Sequence, residues 1–309
     1  MKFLDVIIIM GLIAALCFGL YFLWSNLPPT ASVEFESYKN NISENTPAKS
    51  VQFYPNMRYE DKEISYSLSP NCTNKKRTDA TNAFELLQSK TVLSFYESTG
   101  DPEIIILCSN IIPQAEEKNH FVAGEGGPVK IINTSSYSVI LTGKVSLYSP
   151  EKCDEPKVST HEILHALGFD HNNNKESIMY PITDCNQEID RYIIDEINNL
   201  YKEPSLPDLE IESITANKTG KYLNFKATIA NNGLKESKNS SLEVIVNNNV
   251  IKTFQLGMFD VGTIQYLTIT NLQISSDADT INLIIKTSEA ELSKDNNKAT
   301  IRAIKPKQG

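Results

Sequence analysis

The hydrophobic pattern of this 309-residue chain changes its period once, at Pro204-Ser205-Leu206-Pro207. Before this segment, apolar residues recur at both helix and strand spacing. After it they alternate with polar residues, which is the period of a half-buried β-strand. The alternating positions are Leu223, Phe225, Ala227, Ile229, Leu242, Val244, Val246, Leu267, Ile269, Ile281, Leu283 and Ile285. About seven strands in ~100 residues predict an all-β, immunoglobulin-like sandwich over residues 207–305, separate from what precedes it.

Residues 51–203 mix helix and strand patterns, which predicts an α+β domain. The segment Gly124-Glu125-Gly126-Gly127-Pro128 is expected to be a turn between two strands. The expected elements are a strand at 63–69, a helix at 78–90, strands at 92–96, 103–108, 129–132 and 139–147, and helices at 156–167 and 187–201.

The first 25 residues contain a long apolar run. Val6 to Trp24 are 19 consecutive residues without a charge; as a helix they would be about 28 Å long, close to the hydrocarbon thickness of a bilayer. The run exceeds the apolar region of a signal peptide and no small-x-small site follows it, which favours a transmembrane signal anchor over residues 1–25. Residues 26–50, rich in Ser, Asn, Thr, Pro and Glu, are expected to form a solvated linker.

The charges that flank this run predict its orientation. Lys2 precedes it, whereas Glu34 and Glu36 are the first charges after it. The positive-inside rule therefore favours a single-pass membrane protein with a cytoplasmic N-terminus and everything after residue 25 on the extracytoplasmic side. Cleavage of the segment would instead give a secreted protein.

Four cysteines lie outside the apolar run: Cys72, Cys108, Cys153 and Cys185. An even number in an oxidising compartment indicates disulfides. Of the three pairings, proximity along the chain favours Cys72 with Cys108 and Cys153 with Cys185, each worth about 3 kcal/mol through loop entropy. Free buried thiols are the alternative.

Three of the four histidines fall within the eleven residues HEILHALGFDH, from His161 to His171. On a helix, His161 and His165 share one face, so both imidazoles can bind one ion. Glu162 lies beside them, positioned for a water on that ion. Gly168 can end the helix in a left-handed conformation, which lets His171 supply a third ligand. Three nitrogen ligands with an open fourth position are typical of a catalytic zinc site.

The segment Ser177-Ile178-Met179-Tyr180-Pro181 follows the histidine motif. HEILHALGFDH with SIMYP resembles the metzincin zinc metalloproteases, and the short gap to the methionine is most similar to the matrixin family. The resemblance covers residues from about 51 to 203. It implies a metzincin-type α+β fold with one catalytic Zn²⁺, and these roles: His161, His165 and His171 as zinc ligands, Glu162 as general base and acid, and Met179 as the floor of the site.

The same resemblance implies an endopeptidase that binds protein or peptide substrates along the edge strand of its sheet, expected here within Val139 to Leu147. His120 is expected to be a loop residue, because one histidine cannot make a second, structural zinc site. A bridge from Cys153 to Cys185 would join the zinc helix to the methionine turn, and we state this as a hypothesis.

The C-terminal unit resembles a CARDB-type, cell-adhesion-related domain, with an unrelated immunoglobulin-like sandwich as the alternative. The resemblance rests on Asp208-Leu209-Glu210-Ile211, Ile229-Ala230-Asn231-Asn232-Gly233 and Asp295-Asn296-Asn297. Neither version carries a catalytic constellation, so the expected role is that of a spacer or of a surface that binds a cell-surface ligand. Acidic residues in the last loop (Glu289, Glu291, Asp295) could indicate Ca²⁺, but a solvated loop is the favoured interpretation.

These features predict a membrane-anchored, extracytoplasmic zinc endopeptidase with a β-sandwich appendage. The net charge is −9, and residues 51–203 carry 14 basic and 23 acidic side chains, which argues against a nucleic-acid partner. The alternative is a catalytically inactive cell-surface adhesion or scaffold protein with a vestigial metal site. The intact Glu162 argues against this alternative, since a ligand cluster alone does not need a carboxylate there.

Overall fold

The structure is a computed structural model that describes residues 3–26, 32–38, 51–113, 122–148 and 153–303. His120 lies outside these residues. Helix α1 (Phe3–Asn26) and strand β1 (Ser32–Tyr38) precede the first domain. Within the described part of the chain, no helix meets the length and hydropathy required of a membrane span. The transmembrane anchor therefore stays a prediction.

The first domain is a mixed sheet with three helices. Its elements are β2 (Met57–Tyr59), β3 (Glu63–Leu68), α2 (Asn74–Lys90), β4 (Ser94–Glu97), β5 (Ile104–Cys108), β6 (Gly124–Asn133), β7 (Ser138–Leu147), α3 (Lys157–Ala166) and α4 (Arg191–Leu200). Strands β2, β7, β5, β3 and β4 are adjacent in this order and pair in parallel, and β6 pairs antiparallel with β7. This is the α+β architecture that the sequence pattern predicts.

Helix α2 packs its apolar face into the core of this domain. The Thr73 side chain caps the helix by accepting a hydrogen bond from the Lys76 backbone N–H. The residues expected at helical spacing, Ala80, Ala83, Phe84 and Leu87, are all buried. Helix α3 contacts α2, β6 and β7, and nine of its ten residues are buried. Helix α3 is therefore an interior helix, held in place from several sides.

Two sequence expectations for this sheet are wrong. Strand β7, expected at the edge, is covered on one side by β6 and on the other by β2 and β5; its buried apolar residues, including Val139, Ile140 and Val145, suit an interior strand. On this side of β7 the sheet ends at β6, and its opposite edge is β4. Residues 124–128, expected to be a turn, form the first half of β6. Pro128 has no N–H to donate, and an edge strand tolerates that.

The second domain is all β. Its seven strands are β8 (Leu209–Thr219), β9 (Tyr222–Asn231), β10 (Ser237–Val246), β11 (Asn249–Phe259), β12 (Ile264–Gln273), β13 (Thr280–Thr287) and β14 (Lys298–Ala303). The alternating positions on β9, β10 and β13 are buried in one core. The β10–β11 connection places Asn247 and Asn248 at positive φ, which is the conformation of a tight hairpin turn that asparagine tolerates. The predicted β-sandwich is confirmed.

Strand β1 also belongs to the sheet that strands β8 to β14 form. It pairs antiparallel with β14 and with β8, so the strand order is β11-β10-β13-β14-β1-β8-β9-β12. The structure differs here from the solvated linker expected over residues 26–50. The sequence SVEFESY alternates apolar and charged residues, and this period suits pairing between two strand edges.

Both disulfides favoured by chain proximity are present. Cys72 bonds to Cys108, and Cys153 bonds to Cys185. The first bridge joins the start of α2 to the end of β5. The second joins the segment before α3 to the segment after the methionine turn, which is the link that we hypothesised from the sequence.

Candidate metal centre

Helix α3 and the turn after it bring the predicted ligands together. Gly168 follows the helix with φ of +98°, a conformation that an L side chain rarely adopts. A Cβ added there would also lie 2.6 Å from the Met57 Cγ atom. The Phe169 N–H donates to the Leu164 carbonyl at 3.1 Å. This tight reversal returns the chain toward the helix and places His171 beside it.

The three imidazoles converge on one point. The His161 and His165 Nε2 atoms are 3.0 Å apart, and each lies 3.1 Å from the His171 Nε2 atom. With zinc–nitrogen bonds of about 2.0–2.1 Å, tetrahedral ligand nitrogens lie ~3.3 Å apart. The spacing of the three atoms therefore fits one small metal ion.

The opposite ring nitrogens indicate which tautomers are present. His161 Nδ1 lies 2.5 Å from the Ile178 carbonyl oxygen, and His165 Nδ1 lies 2.7 Å from the Phe169 carbonyl oxygen. Because a carbonyl only accepts, each Nδ1 carries the hydrogen and donates it. Both Nε2 atoms are then left with a lone pair, which is the arrangement that carbonyl-oriented metal ligands need.

Burial keeps these rings neutral. Desolvation by burial and, to a smaller extent, the neighbouring histidines lower the pKa of His161 to about 3. Desolvation likewise lowers the pKa of His165 to about 4. Burial also lowers the pKa of the half-exposed His171, opposed by the Asp170 carboxylate. Neutral imidazoles whose lone pairs face one another lack a donor between them, so the chemistry of this donor set fits a cation.

Glu162 lies on the same helix, buried between α3 and β6. A Cβ added to Gly124 would lie 2.9 Å from Glu162 Oε1, and one added to Gly126 would lie 2.1 Å from the Glu162 carbonyl oxygen. The two glycines therefore let the edge strand approach the backbone and side chain of this residue closely. The sequence pattern predicts turn residues here, and this prediction is wrong; the alternate spacing of the two glycines in a strand is the signal that identifies their role.

Met179 is fully buried, and hydrogen bonds fix its backbone. Its N–H donates to Ser177 Oγ at 3.0 Å, and its carbonyl accepts from the Asn172 N–H at 2.9 Å. The Ser177 hydroxyl in turn donates to the Asp190 carboxylate at the start of α4. The supporting roles of Asn172 and Asp190 were not predicted, because they depend on hydrogen bonds between residues 7 and 13 positions apart.

The first domain thus combines a mixed sheet and three helices with three histidines that could hold one metal ion. Residues 58–202 match the family model described as matrixin, and residues 206–301 match the model described as CARDB. The chain therefore contains a matrixin domain followed by a CARDB domain.

Known proteins that are similar to parts of this chain include one metalloproteinase and one CARDB domain. The zinc metalloproteinase nas-14 of Caenorhabditis elegans is 28% identical over 123 residues, which are 40% of this chain and 21% of that protein. The chain thus spans about a fifth of the length of this relative. The crystal structure of the CARDB domain of the PF1109 protein from Pyrococcus furiosus, in complex with di-metal ions, is 17% identical; the match covers 32% of this chain and 88% of that chain with a TM-score of 0.27.

Proposed function

We propose that the chain is a zinc-dependent endopeptidase, anchored in a membrane by residues 1–25, with both domains on the extracytoplasmic side. The observation that supports the activity is the convergence of three histidine Nε2 atoms at 3.0–3.1 Å beside the buried Glu162. The matrixin match over residues 58–202 supports the same activity.

In the proposed reaction His161, His165 and His171 hold the metal through Nε2. When bound, zinc supplies a Lewis acid for the scissile carbonyl and lowers the pKa of water to about 7. Glu162 accepts a proton from the attacking water at its carboxylate and returns it to the leaving amine. The close approach of Gly124 and Gly126 restricts the Glu162 carboxylate to the side of α3 that faces β6.

The free edge of β6 supports a binding mode for the substrate. Among the described strands, β6 pairs with β7 alone, and its first residues lie against Glu162. An extended peptide that adds to this edge makes main-chain hydrogen bonds whatever its side chains are. Such a peptide would pass directly beside the proposed base, so we assign the substrate to β6 instead of β7.

Two features support the extracytoplasmic position. The two disulfides are typical of an oxidising compartment, and the apolar run from Val6 to Trp24 is long enough to anchor the chain. In expressing cells, we expect the chain to resist carbonate extraction from membranes and to be digested by protease added outside. Release by carbonate would contradict the anchor.

The catalytic role of Glu162 can be tested on the full chain purified in detergent, because truncation at residue 51 would remove strand β1. We expect Glu162→Gln to keep about one zinc per chain and to cleave an unfolded protein at least ~100-fold more slowly. The matched control is Glu85→Gln, on the exposed face of α2, which should cleave at the wild-type rate.

Two outcomes would contradict the proposal. Equal cleavage by Glu162→Gln and wild type would remove the proposed base. A wild-type chain that binds zinc but cleaves nothing in a broad peptide library would instead favour the adhesion or scaffold alternative.

A further inference from the structure

The loop between β13 and β14 folds back over the start of β8 in the second domain. The Leu292 N–H donates to the Pro207 carbonyl at 3.0 Å, and the Ile211 N–H donates to the Asn296 carbonyl at 3.1 Å. These backbone bonds gather four polar side chains that are far apart in sequence. We call them the oxygen cluster; its members are Asp208, Glu291, Asn296 and Asn297.

Each asparagine of the oxygen cluster donates to one carboxylate. Asn296 Nδ2 donates to Asp208 Oδ1 at 3.0 Å, and Asn297 Nδ2 donates to Glu291 Oε2 at 2.7 Å. The amide oxygen of each asparagine is bonded to the same carbon as that nitrogen, so both amide oxygens lie beside a carboxylate.

Three oxygens of the cluster have no partner. Glu291 Oε1, Asn296 Oδ1 and Asn297 Oδ1 are buried atoms without a hydrogen bond. Asn297 is 5% exposed and Asp208 is 7% exposed, so bulk water does not readily satisfy them. Buried polar oxygens normally have a partner, and leaving one unmade costs free energy. Three such oxygens in one place suit a positively charged ligand, because an amide oxygen and an ionised carboxylate oxygen can only accept.

The local charge indicates the same ligand. No Lys, Arg or His of the described residues lies within ion-pair distance of Asp208 or Glu291. Burial raises the pKa of both carboxyl groups, and the charge of Asp208 raises that of Glu291 further. The cluster thus holds two carboxylates close to two amide oxygens. Hydrogen bonds from Asn296 and the Ser293 backbone stabilise the first, and bonds from Asn297, Thr287 and the Leu209 backbone stabilise the second, but no cation of the described residues neutralises either.

We propose that Asp208, Glu291, Asn296 and Asn297 form a Ca²⁺ site in the second domain. Carboxylate and amide oxygens are the ligands that Ca²⁺ takes, with water completing six to eight positions. Zinc prefers nitrogen and sulfur ligands, and the cluster has none to offer. Of the acidic residues noted in the sequence, only Glu291 takes part: Glu289 accepts from the Lys238 N–H at 3.1 Å, and Asp295 is exposed.

The site is connected to the contact between the domains. The Asp208 carbonyl accepts from the Asn232 N–H at 2.8 Å. The Asn232 carbonyl in turn accepts from Thr134 Oγ1 at 3.1 Å, and Asn232 Oδ1 accepts from the Ser135 N–H at 3.2 Å. Thr134 and Ser135 lie in the turn between β6 and β7. Bound Ca²⁺ should therefore stabilise both the sandwich and its contact with the hairpin that carries β6.

The test is a calorimetric titration of CaCl₂ into the full chain in detergent, saturated with zinc and carrying Glu162→Gln to prevent self-digestion. We expect one Ca²⁺ per chain with a Kd of about 10⁻⁴–10⁻³ M, the range of extracellular calcium modules. Glu291→Gln should raise this Kd at least tenfold. The matched control Glu289→Gln, two residues away, should leave it unchanged.

A second measurement separates a metal site from a merely structural cluster. Without Ca²⁺, Glu291→Gln should unfold at the same temperature as its parent or higher, because it removes one of two close carboxylates. With 5 mM CaCl₂ (about 5 to 50 times the expected Kd), only the parent should gain melting temperature. Absence of Ca²⁺ binding to the parent, or equal Kd values for Glu291→Gln and Glu289→Gln, would overturn the proposal.

Discussion

The histidine centre on α3 and the oxygen cluster of the second domain are both buried groups of polar side chains, but they bury different charges. In the histidine centre, the buried imidazoles of His161 and His165 are neutral, and their Nδ1–H groups donate to backbone carbonyls. The oxygen cluster holds two carboxylates that have amide donors but no cation partner among the described residues. The first is therefore organised before a metal arrives, whereas the second carries repulsion that a divalent ion would relieve.

The two groups also differ in how they are assembled. The histidines come from one helix and one turn, within residues 161–171. The oxygen cluster joins residue 208 to residues 291–297, which only the folding of the sandwich brings together. The difference teaches that a metal site built on one helix depends on what packs against the helix, and a site built from distant loops depends on the whole domain.

The largest effect should come from disturbing what packs against α3. Gly126→Ala would place a Cβ 2.1 Å from the Glu162 carbonyl oxygen, so β6 must move away from the helix. A displacement of ~1 Å near a reacting group can slow a reaction about 100-fold. We therefore expect peptide cleavage to be about 100-fold slower than in wild type, measured in a fixed-time assay. Metal analysis should show an unchanged zinc content.

Gly127→Ala is the matched control for this substitution. A Cβ there meets no atom within 4 Å, so cleavage should stay within a few-fold of wild type. An equal loss of cleavage rate in both variants would show that cleavage does not depend on the close approach of β6 to Glu162.

In the metal-free chain, a fall in pH should change the stability of the two domains in opposite directions. The pKa values of His161 and His165 are lowered in the folded state to about 3 and about 4, from 6.5. The unfolded chain then binds more protons, so the stability present above pH 6.5 is lost as the pH falls toward 4. By pH 5 each histidine should destabilise the first domain by about 2 kcal/mol.

The carboxyl groups of the oxygen cluster should act in the opposite direction. Their folded pKa values are raised above the ordinary values of 3.8 and 4.5, so the folded domain binds more protons than the unfolded chain. The cost of burying their charges, with a smaller contribution from neighbouring carboxylates, is present at neutral pH and is relieved as the pH falls through the raised values. After chelation of bound metal, hydrogen exchange of peptides from each domain at pH 7 and pH 5 measures the change in stability of both domains. A change of the same sign in the two domains would break the comparison.

The same contrast explains what the sequence could predict. His161, Glu162, His165 and His171 are linked by helical spacing and one glycine turn, so local rules place them together. The buried positions of β9, β10 and β13 follow from period two alone. By contrast, the oxygens of the oxygen cluster face one another only because the β13–β14 loop folds over residue 208. The glycines of β6 look like turn residues until α3 lies against them.

The smallest effect concerns the outer support of the histidine centre. The Asp190 carboxylate accepts from the Ser177 hydroxyl, which itself accepts from the Met179 N–H. Ile178, between them, supplies the carbonyl that orients His161. Because partners of this kind typically change metal affinity 10- to 100-fold, we expect Asp190→Ala to weaken zinc binding about tenfold in competition with a chromophoric chelator.

Asp195→Ala provides the control for Asp190→Ala on the same helix. Asp195 pairs with Arg191 at the exposed surface of α4, and an exposed pair of this kind contributes little. Its zinc affinity should match wild type. Ca²⁺ binding should be unchanged in both variants, because the support of one centre does not reach the other. A loss of Ca²⁺ affinity in Asp190→Ala would mean that the two groups are coupled through the β6–β7 turn, and that their separation is incomplete.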